Sequence, residues 1–481
     1  MPEEPVNLFL SILENPMIRL MTRFSTRRCQ RCGKSYLDVG IDEYLGEASA
    51  HHGLTSELAS MSIALALNVG AKAFKVRENE VREALRQTFF RRGLTSVLGG
   101  IAEYGVTKPQ RLASPFLVVW NYTDACNLRC KHCYQEAAKP APDELSTEER
   151  LMVIDQLYEA GVASLAFSGG EPLMRSDFFN VAKQAADRGI YVSLATNGTM
   201  VTEQTAEKLK ASGVRYVEVS LDGATPQTHD TFRGASCFDR TVEGIRHLVR
   251  SGVYTCIATT ATKHNIDEIP QIIELAKDLG VPRIIVFNFI PTGRGDEIRN
   301  LDLTPSERER LLIGLYTELV KGEVQTLSTA PQYARVCLQQ SIVDHRDFLA
   351  PTHFAAVDFH GRSKRLGEFI GGCGAGRLYC AIQPNGLVTP CVFMPIIVGD
   401  LRRQSLREIW FHSKVLDDLR DRERLKGRCG RCQYKYICGG CRARAYAYHG
   451  DYLMPDPGCI RELEEPSLNL LQAVEARARR K

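Results

Sequence analysis

Along residues 1–113 the apolar positions recur at helical spacing. A first amphipathic stretch is interrupted at Asn15-Pro16, a second runs from Glu57 to Gln87, and RRGLTSVLGGIAEYG follows. Apolar residues three to four apart line one face of a helix, so this segment is predicted to be a helical domain. From residue 114 the spacing changes. Short, nearly continuous apolar runs appear: FLVVW, VASLAFS, YVSLAT, VRYVEVSLD, YTCIATT and RIIVFNFI. Such runs separated by helical stretches predict a parallel sheet with covered faces. The helices between them carry start signals. Ser146 with Glu149 forms a capping box, and Thr304 with Glu307 repeats it with Pro305 at the first helical position. Six strand–helix units in residues 114–325 predict an α/β fold, a partial (β/α)6 barrel, too few units for a closed eight-unit barrel. Residues 326–368 read as a connecting segment. Over 369–465 periodicity gives way to cysteines, glycines and short loops, the texture of a domain whose folding depends on metals. Residues 466–481 read as a basic, solvated C-terminal helix.

The cysteines sharpen this picture. CNLRCKHCY places Cys126, Cys130 and Cys133 on the loop after the first predicted strand. In parallel α/β architectures, active sites lie outside the carboxyl ends of the strands. A closed structural zinc site takes four ligands, whereas a catalytic metal site keeps a position open. Three thiolates can hold three irons of a [4Fe–4S] cluster and leave the fourth iron open; a zinc knuckle borrowing a fourth ligand is the alternative. After the second strand comes SGGEP, with Gly169, Gly170 and Glu171. ATNG ends the third strand at Asn197, SLDG ends the fourth with Ser220 and Asp222, and THDTFRG follows with Arg233. Farther along, Cys373, Cys380 and Cys391 precede a run of Cys429, Cys432, Cys438 and Cys441, then Cys459. Eight thiolates can ligate two iron–sulfur clusters; two zinc sites are the alternative.

The C-x3-C-x2-C loop, with His132 at its aromatic position, and the ordered motifs after it resemble the radical S-adenosylmethionine (SAM) superfamily. The C-terminal cysteines resemble its SPASM domain, which holds two auxiliary [4Fe–4S] clusters. The resemblance spans residues 115–465. It implies that Cys126, Cys130 and Cys133 carry the catalytic cluster and that the GGE turn contacts the SAM amino group. Glycines let a backbone approach closely, and carbonyls with a carboxylate suit an ammonium. It implies SAM contacts for His132, Asn197, Ser220 and Asp222, and a SAM carboxylate partner in Arg233. The alternatives are a surface ion pair for Arg233 and a turn residue for Ser220. Carrying over the family's connectivity assigns Cys373, Cys380, Cys391 and Cys441 to an inner cluster, and Cys429, Cys432, Cys438 and Cys459 to an outer one. The gap before Cys441 is two residues where many members have three. The implied chemistry is reductive cleavage of SAM to a 5′-deoxyadenosyl radical that abstracts hydrogen from an unactivated C–H bond, with the cofactor carrying the hard chemistry. The implied partner is a low-potential electron donor of ferredoxin or flavodoxin type. A non-catalytic iron–sulfur electron carrier would need neither the GGEP turn nor the Arg233 set.

Composition adds limits. The chain has 481 residues, 44% hydrophobic and 25% charged, with a net charge of +4 spread along its length, which argues against a nucleic-acid partner. The opening MPEEPVNLFLSILENP is acidic and lacks a cleavage-like site, and no apolar segment is long enough to span a bilayer. Sixteen cysteines without an export signal favour metal or redox chemistry in the cytoplasm. Cys29 and Cys32 form a C-x2-C knuckle that His51 and His52 could complete as a zinc site; two free thiols or a redox pair are the alternatives. Cys237, Cys256 and Cys337 are isolated and read as structural. FNFIPTGRG and CGGCRARAYAYHGDYLMPDPGC look closest to radical SAM enzymes that tailor tetrapyrroles in alternative heme and heme d biosynthesis, with Arg294 either pairing a substrate carboxylate or serving as a loop cation. A ribosomal peptide and a long-chain lipid are the other substrate classes. The lipid rests on the N-terminal amphipathic stretches, which could make peripheral membrane contact. The helical N-terminal segment does not resemble the winged-helix peptide-recognition domain of many peptide-modifying relatives.

Overall fold

In the computed structural model, which describes residues 13–27, 35–47, 63, 77–346, 349–351, 356–358 and 364–462, each of the six apolar runs forms a strand. These are β1 (Leu117–Thr123), β2 (Ser164–Gly169), β3 (Tyr191–Thr196), β4 (Val214–Ser220), β5 (Tyr254–Ala261) and β6 (Arg283–Asn288). They pair in sequence order, all parallel, and β7 (Gln325–Ser328) extends the row beyond β6. Alternation along β4 shows how the sheet is covered. Val217 and Val219 are fully buried toward the helices, while Tyr216, Glu218 and Ser220 face the lumen. Both predicted capping boxes form. The Ser146 hydroxyl accepts from the Glu149 N–H while the Glu149 carboxylate accepts from the Ser146 N–H, and Thr304 and Glu307 do the same.

Two features depart from the sequence reading. The expected boundary at 325/326 falls inside β7, and residues Gln332–Val343 of the expected connecting segment form a helix. Its Tyr333, Val336, Cys337 and Leu338 join the main core. QTLS has one large apolar residue, so its strand character comes from backbone pairing with β6 rather than from pattern. Second, the sheet does not stop at β1. After the short hairpin β8 (Leu349–Pro351) and β9 (Ala356–Asp358), β10 (Tyr379–Ile382) pairs in parallel with β1, and β11 (Leu387–Thr389) and β12 (Gly399–Asp400) follow antiparallel. The cysteine-rich segment is therefore continuous with the barrel sheet.

The described N-terminal residues form helices Pro16–Ser25, Tyr36–Leu45, Glu78–Arg86 and Thr88–Tyr104. The last lies at the amino-terminal end of the strands. Phe89 packs 5.1 Å from both Phe116 and Tyr191, and Arg92 donates to the Val162 and Arg188 carbonyls. Cys29, Cys32, His51, His52, most of the 57–87 stretch and residues 466–481 lie outside the described residues.

Candidate active site and cysteine sets

The loop after β1 is held by backbone before any metal is considered. Its stem closes through the Cys126 N–H to the Ala138 carbonyl (3.3 Å) and the Ala138 N–H to the Asp124 carbonyl (2.8 Å). The GGE turn after β2 is stitched to the same stem. The Gly170 N–H donates to the Thr123 carbonyl and the Glu171 N–H to the Ala125 carbonyl, each at 2.7 Å. A side chain on Gly170 would sit 2.1 Å from the Ala125 oxygen. Glycine is thus required there by the neighbouring loop itself, in addition to any approach of a ligand. From the other side, the turn after β6 clamps the loop. The Arg294 N–H bonds the Cys133 carbonyl, and its guanidinium bonds the carbonyls of Cys130 (3.0 Å) and Ala137 (3.1 Å). Gly293 makes this approach feasible, since a Cβ there would lie 2.5 Å from the Tyr134 oxygen. Of the two sequence readings of Arg294, the loop cation is the one its contacts match.

Cys126, Cys130, His132, Cys133, Gly169, Gly170, Asn197, Ser220 and Arg233 line one cavity of ≈ 160 Å3 at the carboxyl ends of the strands. Arg233 is no surface ion pair. It is 8% exposed, its Nε donates to Asp222 at 2.5 Å, and its Nη1 lies 3.9 Å from Cys130 Sγ. Two predicted residues stand behind the cavity wall. Asp222 is fully buried, accepts from the Thr260 N–H (2.7 Å), and lies 3.3 Å from His132 Nε2. Burial opposes its ionisation, but Arg233 and His132 outweigh that and hold the carboxyl below its usual range. Glu171 is fully buried too. Its carboxylate accepts from the Thr196 hydroxyl (2.9 Å) and the N–H groups of Asn197 (2.9 Å) and Leu173 (3.2 Å), while burial pushes it up to about 7. These carboxylates shape the cavity by fixing Arg233, His132 and the end of β3. His132 stacks on Phe232 at 4.3 Å, and burial depresses it to about 4.

The C-terminal cysteines form two groups. Cys429, Cys432, Cys438 and Cys459 surround one void of ≈ 30 Å3 with Arg335, Lys435 and Arg461. Backbone N–H groups of Tyr434 and Gly440 point at Cys432 Sγ (3.4 Å) and Cys438 Sγ (3.3 Å). Cys373, Cys391 and Cys441 line a second space of ≈ 80 Å3. The two groups touch through the Cys373 N–H and the Cys438 carbonyl (3.2 Å). Cys380 is not in either group. It pairs with Val118 in the β10–β1 register, is fully buried in the main core, and has Arg420 as its charged neighbour. Strand alternation is the reason: Tyr379 faces the cysteine space, so Cys380 faces the opposite side. Cys380, expected in the inner set, is thus placed apart from Cys373, Cys391 and Cys441 among the described residues.

These sets suit an anionic cluster. Burial pushes Cys391 and Cys459 up to about 12, and a bound iron, taking the place of the proton, would hold them as thiolates. Buried guanidinium atoms also lack protein partners. Arg377 Nε and Nη2 and Arg422 Nε make no hydrogen bond, and Arg422 spans from Cys373, whose carbonyl it bonds at 2.7 Å, toward Cys438 and Cys429. Cations buried without partners are costly unless a negative charge sits beside them.

Sequence reasoning missed Glu218 and Tyr379. The first was within reach, because Glu218 lies two residues before Ser220 and so shares its lumen face. It lines both the 160 Å3 cavity and a larger lumen cavity of ≈ 430 Å3 beneath it, and burial pushes its carboxyl up to about 7. Cys237, Cys256 and Cys337 are buried, unpaired thiols; Cys237 packs against the cluster loop.

Comparison with known proteins agrees with this geometry. The model of the radical SAM superfamily matches residues 120–276, and that of the SPASM iron–sulfur cluster-binding domain matches residues 373–433. An AdoMet-dependent heme synthase of Methanosarcina barkeri is 41% identical over 350 residues, covering 72% of this chain and 97% of that protein. The mycofactocin maturase MftC of Mycolicibacterium smegmatis is 31% identical over 365 residues, covering 74% and 86%. The structure of Streptococcus suis SuiB bound to S-adenosylmethionine superposes with a TM-score of 0.63 over 89% of this chain and 93% of that one, at 16% identity, a likeness of fold.

Proposed function

Because this chain belongs to the radical SAM superfamily and carries a SPASM iron–sulfur domain, an enzyme architecture built on [4Fe–4S] clusters and SAM, we propose that it abstracts hydrogen from a side chain of a tetrapyrrole. Bound at the loop, cluster and SAM supply a 5′-deoxyadenosyl radical from reductive cleavage of the sulfonium. In our reading Cys126, Cys130 and Cys133 hold the cluster. Arg233, fixed by Asp222, presents a cation to the SAM carboxylate, and the Gly169–Gly170 backbone with Asn197 and Ser220 orients the rest of the molecule. Glu171 acts indirectly, by holding Thr196 and Asn197 in place. Cys373, Cys391 and Cys441 hold the inner auxiliary cluster; Cys429, Cys432, Cys438 and Cys459 hold the outer one.

The observation that carries the substrate is the lumen. The ≈ 430 Å3 cavity shares Tyr134, Ser168, Ala195, Glu218, Phe287 and Phe393 with the SAM-side cavity, so the two are adjacent. Tyr191, Tyr216, Tyr254 and Tyr379 add aromatic wall, and Arg283 adds a cation. Aromatic walls suit a flat conjugated ring, and an arginine suits its carboxylate side chains. The 41% identity with a heme synthase supports the same reading. A ribosomal peptide is the second reading, supported by the mycofactocin maturase. We infer a reducing, cytoplasmic setting and a ferredoxin- or flavodoxin-type donor; the described cysteines are all unpaired, and among the described residues no helix is long and apolar enough to cross a membrane.

The test is anaerobic turnover. Reconstituted protein, SAM and reductant are incubated with iron coproporphyrin III or with a precursor peptide, and products are identified by mass spectrometry. Substrate-dependent 5′-deoxyadenosine with a mass change in the porphyrin is expected. Turnover of the peptide with an unchanged porphyrin would overturn the reading.

A further inference from the structure

We propose that Tyr379 is a positioning residue for the inner cysteine set: its hydroxyl holds Cys391 Sγ, and its ring, with that of Phe393, separates the barrel lumen from the space those cysteines enclose. This rests on the inner set binding a cluster and not on the identity of the substrate.

Three observations carry it. The Tyr379 Oη donates to Cys391 Sγ at 3.0 Å. Tyr379 lines both the ≈ 430 Å3 lumen and the ≈ 80 Å3 space of Cys373, Cys391 and Cys441. Its backbone is pinned at the start of β10. The Tyr379 N–H bonds the Gly374 carbonyl (3.2 Å), its carbonyl accepts from the Gly376 N–H (2.9 Å), and its register partner is Leu117 of β1. Alternation then sends the ring, and not Cys380, to the cysteine side. A Cβ on Gly374 would lie 3.1 Å from the ring, so glycine at that position leaves the ring its place beside the loop.

A hydrogen bond donated to a cluster-ligating sulfur stabilises the more negative, reduced state and raises the potential. In a buried site with low local dielectric the effect is larger than at the surface. Tyr379 thereby makes the cluster nearest the lumen the readier acceptor of one electron, while its own O–H proton stays on Oη and the ring is neither oxidised nor reduced.

The experiment uses the full chain, anaerobically reconstituted in a Cys130→Ala background so that the auxiliary clusters are read alone. Iron and sulfide analysis first reports whether both sets are loaded. A redox titration followed by electron paramagnetic resonance then compares the background with Tyr379→Phe. The expected result is unchanged iron, an inner-cluster signal whose reduced-to-oxidised ratio at fixed potential falls about tenfold, about 59 mV for one electron, and an outer-cluster signal that does not move. Tyr379→Leu removes the ring as well, and is expected to speed extraction of inner-cluster iron by a chelator added from solution, which Tyr379→Phe leaves unchanged. An unshifted inner signal in Tyr379→Phe, an equal shift of both signals, or loss of inner iron in that variant would each overturn the proposal. If the background itself binds no iron at the inner set, the cluster assignment has failed, and the proposal with it.

Discussion

The cluster loop of the barrel and the cysteine sets of the C-terminal segment use the same side chain in opposite ways. The loop is fixed by protein alone. Strand ends, the GGE turn and Arg294 bond its backbone from three directions, and its thiols are presented to a cavity. The C-terminal segment has only short helices and strands around its cysteines, and buried arginines do the bridging. Arg422 bonds the Cys373 carbonyl, Arg442 those of Tyr452 and Met454, and Arg420 that of Gly376. Arg420 Nη2 and Arg422 Nε have no hydrogen-bond partner. The contrast teaches that the barrel site is preorganised and open, whereas the C-terminal sites are closed around buried cations that the negative charge of a bound cluster would balance.

The strongest attempt to break this contrast is Cys130→Ala. SAM cleavage, read as 5′-deoxyadenosine released by reduced protein, is expected to disappear, while the C-terminal segment stays folded and keeps its iron. Undiminished release would remove the loop from the chemistry. Next in size, Cys373→Ser should empty the inner set, whereas Cys380→Ser should leave iron content unchanged, because its sulfur faces the helical layer. Equal iron loss in both variants would restore Cys380 to the ligand set.

Arg294→Ala tests preorganisation. It removes two charge-assisted hydrogen bonds, each contributing about 1.5–3 kcal/mol, and should lower loop-cluster occupancy and SAM cleavage about 10- to 100-fold with auxiliary iron unaffected. Equal loss of iron from all sites would mean that Arg294 supports the fold at large. The smallest effect concerns pH. Glu218 is held above its ordinary value, so the folded state binds more protons than the unfolded state between about 4.5 and about 7. Its contribution therefore makes stability fall as pH rises through that window. Glu218→Gln should flatten that part of the Tm-against-pH curve measured anaerobically; an unchanged slope would show that the carboxyl is solvated.

Much of the site was legible because it sits at strand ends. Once FLVVW, VASLAFS, YVSLAT and VRYVEVSLD were read as parallel strands, the motifs that follow them had to converge at one end of the sheet. Cys130, Gly170, Asn197 and Arg233 do so. The sequence could not separate the residues that face the cavity from those behind it. Glu171 and Asp222 stand in the same motifs as Gly170 and Ser220, yet their carboxylates are consumed by neighbouring N–H, hydroxyl and guanidinium groups. Arg294 was visible as a loop cation, but its targets are backbone carbonyls, which carry no sequence signature.

What the sequence alone determined is the strand–helix alternation, the two capping boxes and the cysteine loop, all of which depend on neighbours within a few residues. What only the tertiary structure decided is how distant segments meet. The pairing of β10 with β1 is a backbone contact between residues far apart in the chain, and its register alone sends Tyr379 toward the cysteines and Cys380 away. A shift of one residue would exchange them, because the side-chain period of a strand is two and the pairing partner sets the phase.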